Sequence, residues 1–83
     1  MSRRPASSVA ADLTHKCASH RWDCGRCGQP WPCEPAREEV RASFHGDRVG
    51  MAMYMGEQLV SAARELRGES PAKLYERFIL WTR

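Results

Sequence analysis

The stretch Cys24-Gly-Arg-Cys-Gly-Gln-Pro-Trp-Pro-Cys33 gathers three thiols into one short segment. Cys24 and Cys27 are separated by two residues and followed by Gly28, the form of a zinc knuckle. The tight turn points both sulfurs at one metal, and glycine lets backbone amides turn toward sulfur. Cys33 supplies a third sulfur after a loop stiffened by Pro30 and Pro32, which limits the entropy lost when the loop closes. Structural disulfides or thiols in a core are the competing reading, and the tandem spacing favours metal over both. A fourth ligand is needed, and three residues compete for the role. Cys17 would give an all-sulfur site, whereas His15 or His20 would give three sulfurs and one nitrogen. Four protein ligands make a closed, structural site; an open position would admit water and chemistry.

Trp22 and Trp31 flank the cluster. Packing over the knuckle is preferred to an aromatic platform for a base, peptide or ring ligand. Further on, Met51-Ala-Met-Tyr-Met55 runs around a helix, so its large residues cannot all face one core. Met53 is assigned to the core. Met51, Tyr54 and Met55 are assigned to an adaptable apolar surface that meets a protein partner or a second copy, with a core wrapped around the helix as the competing reading. Nothing resembles a serine elbow, a phosphate-binding glycine loop or a two-histidine metal helix, so the balance lies against an enzyme. His45 reads as a helix-end residue. Arg26, Arg37, Arg41 and Arg48 read as a solvated face first and a nucleic-acid contact second.

The elements that must position these residues follow from periodicity and caps. Residues 1–12 are small, polar and basic, and are expected to form a disordered arm. Residues 13–33 have no helical period and read as knuckle and loop, with a very short hairpin around Trp22–Cys24. Pro35 suits a first helical position, and Glu34, Glu38 and Glu39 place negative charge near the positive end of the dipole. Ala36, Val40, Ser43 and Phe44 recur at helical spacing until Gly46 stops the run. Asp47 caps a second helix from Arg48 to Arg67, with Gly68 as its stop. Its apolar stripe is Val49, Ala52, Met53, Gly56, Leu59, Val60, Ala63 and Leu66. Ser70-Pro71 opens a third helix from Ala72 to Trp81, with Leu74, Phe78 and Trp81 on one face. The expected fold is small and all-α: three helices with an N-terminal zinc-knuckle loop, residues 13–83 forming one zinc-stabilised domain.

With 83 residues the chain is one domain at most, and a structural metal commonly supplements so small a core. A net charge of +3 permits contact with nucleic acid or acidic lipid without arguing for either. No apolar run reaches the length of a membrane span, and residues 6–11 are too short and polar for a signal sequence. A cytoplasmic protein is expected, in which cysteines are thiols or metal ligands.

The pattern His15 … Trp22-x-Cys24-x-x-Cys27-Gly28-x-Pro30-Trp31-Pro32-Cys33-x-x-Ala36-Arg37 resembles a group of short, Cys-rich actinobacterial proteins. The ending Pro71-Ala-x-Leu-Tyr-x-Arg-Phe-x-x-Trp-Thr-Arg83 is similar too. The resemblance spans Leu13 to the C-terminus. It implies a small zinc-binding protein and favours His15 as fourth ligand, with Cys17 an addition in this chain. Some members of the group are labelled flavin reductases, although 83 residues offer no recognisable flavin-binding barrel. The reading is a non-enzymatic interaction or regulatory module. The alternatives are a nucleic-acid-binding zinc module using Arg3, Arg4, Arg21, Arg26 and the tryptophans, and a small accessory enzyme such as a flavin reductase.

Overall fold

A computed structural model of the chain describes residues 13–18 and 20–83. The arm expected at residues 1–12 lies outside them. Among the described residues there are three α-helices and no strand: α1 (Glu34–Phe44), α2 (Arg48–Glu65) and α3 (Pro71–Phe78), followed by a 3-10 turn at Leu80–Thr82. The loop that precedes α1 carries the cysteines. It is folded back on itself by isolated antiparallel bridges between Cys17 and Cys24 and between Asp23 and Pro30.

Local chemistry accounts for the helix boundaries. Pro35 stands in the first turn of α1, where its missing N–H costs nothing. The helix ends at His45 in a left-handed conformation (φ 40°), and Gly46 follows at φ 88°. The Asp47 carboxylate accepts the Gly50 N–H at 2.9 Å and caps α2. Ser70 caps α3 by accepting the Lys73 N–H at 3.2 Å. Helix α2 stops at Glu65, two residues short of the expected Arg67, and Gly68 makes the turn beyond it at φ 95°. The third helix is shorter than expected as well: Trp81 falls in the 3-10 turn rather than in α3.

One cluster of buried residues joins loop and helices. Trp22, Trp31 and Phe78 pack edge-on and tilted with ring centroids 5.4–6.2 Å apart. Ala36, Val40 and Phe44 form the buried face of α1, and Leu74 and Phe78 that of α3. Between them α2 buries Gly50, Met51, Tyr54, Met55 and Ala62.

This corrects the expected face of α2. Met51, Tyr54 and Met55 are not a docking surface but core, at 8%, 4% and 0% exposure, whereas Val49, Met53 and Val60 are 61%, 58% and 54% exposed. Volume decides the outcome. Burying the tyrosine and two methionines removes more apolar area than burying two valines, a methionine and small residues. The Tyr54 ring also packs on Phe44 at 5.7 Å. Leu59 and Leu66, at the edge of the expected stripe, are partly buried against the same core.

Candidate metal centre

The knuckle is built by short-range hydrogen bonds. The Gly28 N–H donates to the Cys24 carbonyl at 2.9 Å, closing the turn, and Gly28 takes the positive φ (75°) that the geometry requires. The Arg26 N–H points at the Cys24 sulfur, 3.4 Å away. Around this turn the Cys24 N–H donates to the Gln29 carbonyl (2.7 Å) and the Trp31 N–H to the Trp22 carbonyl (2.7 Å). Cys33 is the N-cap residue of α1, so its sulfur sits at the positive end of that helix.

These elements bring four ligand atoms together. The sulfurs of Cys24, Cys27 and Cys33 and a ring nitrogen of His15 all lie within 4.8 Å of one another. His15 Nδ1 is 3.3 Å from the Cys24 sulfur and 3.5 Å from that of Cys33. Donors at about 2.0–2.3 Å around a tetrahedral ion stand about 3.5–3.8 Å apart, so this spacing suits one metal. Among the described residues no disulfide competes for the sulfurs.

Of the three contenders for the fourth position, His15 is the residue in the cluster. Cys17 is bridged to Cys24 through the backbone, and its sulfur is outside the group of four. His20 faces away, with an exposed side chain 3.3 Å from the Glu65 carboxylate at the end of α2.

The thiols are electrostatically unequal. Burial opposes the Cys24 thiolate, but the amides of Cys27 and Arg26 and the His15 ring outweigh it and bring the thiol down to about 6. Burial pushes the Cys33 thiol up to about 11, against the Ala36 amide, and the neighbouring sulfurs of Cys24 and Cys27 push the same way. One thiolate is stabilised by the fold, and a second beside it is costly without a cation. A divalent metal removes that conflict, which is the sense in which this donor set fits one.

Residues outside the cluster hold it in place. The Glu39 carboxylate on α1 accepts the His15 N–H (2.9 Å), the Thr14 N–H (2.8 Å) and the Thr14 hydroxyl (2.6 Å). Trp31 Nε1 donates to the His15 carbonyl at 2.9 Å. From α3, Arg77 donates to the carbonyls of Trp31 (2.7 Å) and Trp22 (2.5 Å). Sequence reasoning gave Glu39 only a helix-dipole role and Arg77 none. Arg77 does fall within the C-terminal motif, the one sign that it matters.

Trp22 and Trp31 pack as expected, at 5% and 2% exposure. Their rings are inside the core and cannot serve as the stacking platform of a nucleic-acid module. No helix among the described residues is long and apolar enough to cross a membrane. Comparison of the chain with protein-family models, with curated proteins and with solved structures gave no match.

Proposed function

We propose that the chain is a non-enzymatic, cytoplasmic zinc-binding module. A structural zinc ion held by His15, Cys24, Cys27 and Cys33 pins the N-terminal loop to the helices. The helical surface built in this way then meets a protein partner or a second copy. The convergence of one imidazole and three sulfurs within 4.8 Å carries the reading. Zinc suits a donor set of sulfur and nitrogen, and four protein ligands fill a tetrahedral site, leaving no position for a reacting water. The ion would supply positive charge between the sulfurs and a cross-link between loop and α1. Kinship with the short Cys-rich actinobacterial proteins is part of the same proposal.

Native mass spectrometry of protein purified without chelator tests it. One zinc per chain is expected, lost in His15→Ala and Cys27→Ser and kept in Cys17→Ser. Protein that is folded but metal-free overturns the reading, and a bound flavin in place of zinc turns it toward the accessory enzyme.

A further inference from the structure

Helix α2 has a second apolar face that the core does not use. Val49, Met53, Gly56, Val60 and Ala63 follow one another in alternating steps of four and three, the spacing of a coiled-coil seam. They lie on the side of α2 opposite Met51, Tyr54, Met55 and Ala62. Val49, Met53 and Val60 are more than half exposed. Gly56 is the central residue of this seam, and nothing lies within 4 Å of where its Cβ would be. An exposed helix interior ordinarily disfavours glycine by about 1 kcal/mol relative to alanine. A side chain from outside seated against Gly56 gives it a use.

We infer that this seam packs against the same seam of a second copy of the chain, with the two α2 helices antiparallel. Resting on the reading of an interaction module, the inference supplies its partner and its face. Size and charge both select this arrangement. With the two-fold axis at the level of Gln58, Val60 of one copy stands opposite Gly56 of the other, and Met53 opposite Ala63. Val60 and Met53 then each meet a small residue, each layer occurring twice by symmetry, while Val49 lies beyond these layers, level with Arg67 past the end of α2. In the same register the flanking Glu57 of one copy lies beside Arg64 of the other, again twice. A parallel pair instead stacks Gly56 on Gly56. It also places Glu57 and Arg64 beside Ala52, Leu59 and Leu66, where neither finds an opposite charge. An interface limited to one pair of five-turn helices is small, so association has to be read across a wide range of concentration.

Sedimentation equilibrium of the zinc-loaded protein from low micromolar to near-millimolar concentration, with native mass spectrometry on the same samples, tests the inference. A monomer–dimer equilibrium is expected. Val60→Glu should weaken it at least tenfold with helicity and zinc content unchanged. Glu57→Arg should weaken it less, and Glu57→Arg combined with Arg64→Glu should restore it, because the exchange rebuilds both cross-pairs. Wild-type protein that stays monomeric throughout overturns the inference, as does a dimer indifferent to Val60→Glu. Failure to restore association in the double exchange overturns the antiparallel register. A zinc-loaded monomer leaves the metal site standing without this partner, and a metal-free dimer does the reverse.

Discussion

Glu39 shows how a residue outside the cluster of ligand atoms can hold one of its members in place. Its carboxylate accepts three hydrogen bonds from Thr14 and His15, and two of those donors are backbone N–H groups that fix where the imidazole starts. Burial works against the charge. The bonds from the Thr14 hydroxyl and N–H and the His15 N–H more than offset it and hold the carboxyl below its usual range. Glu39→Gln keeps the shape but turns one acceptor into an N–H₂ that faces a donor. The expected cost is about 1–3 kcal/mol of stability in chemical denaturation. Zinc affinity should fall about 10–100-fold in competition with a chromogenic chelator, the range seen when supports of a ligand are lost. Unchanged affinity would mean that the loop places His15 without help from α1. The cysteines could be read from their spacing, because a knuckle is a local object. His15 came only from the resemblance, since the spacing left Cys17 and His20 equally open. Glu39 and Arg77 were beyond reach for a physical reason: their bonds join residues 24 to 55 positions apart, and no periodicity encodes such a pair.

At the scale of elements, caps and stops were the legible features. Pro35, Asp47 and Ser70 open their helices as expected, and Gly46 and Gly68 sit at positive φ beyond the ends. Each is a local preference of one residue for one backbone state. The orientation of α2 was not legible in the same way. The helix is apolar on two sides, and periodicity finds a stripe without saying which stripe faces inward. Its two glycines separate local from external causes. A Cβ at Gly50 would come within 2.3 Å of an Asp47 carboxylate oxygen, so the side chain that caps the helix would have to move. At Gly56 there is open space. Gly56→Ala should therefore raise stability by up to about 1 kcal/mol in denaturation at low protein concentration, the gain in helix propensity. Gly50→Ala should show no gain, because loss of the cap costs about 1 kcal/mol and cancels it. A clear gain at Gly50 would mean that the Asp47 cap contributes little.

In the whole molecule the loop is joined to the last helix as well as to α1, although the loop and that helix lie far apart in the sequence. Phe78 packs against both tryptophans, and Arg77 bridges the carbonyls of Trp22 and Trp31. Trp22 itself holds a positive φ (62°), which the two sides of its peptide network must jointly maintain. Burial lowers the Arg77 pKa, with Asp23, Glu69 and Cys17 pulling it back, but a guanidinium stays charged at any working pH. Arg77 thus carries loop order into α3, and a metal at the knuckle should stabilise a helix that offers it no ligand. Hydrogen exchange measures this directly. Removing zinc should speed exchange of the α3 amides along with those of the loop. In Arg77→Met, which keeps apolar bulk but leaves the Trp31 carbonyl without its donor and the Trp22 carbonyl with the Trp31 N–H alone, stability should fall by about 1–3 kcal/mol. Zinc should stay bound, because all four ligands are intact. The response of α3 to zinc removal should shrink in the variant, because apolar packing then links the two ends without the Arg77 bridge. If α3 exchanges at the same rate with and without metal in the wild type, the zinc site stabilises only its own loop. The helices would then stand without it.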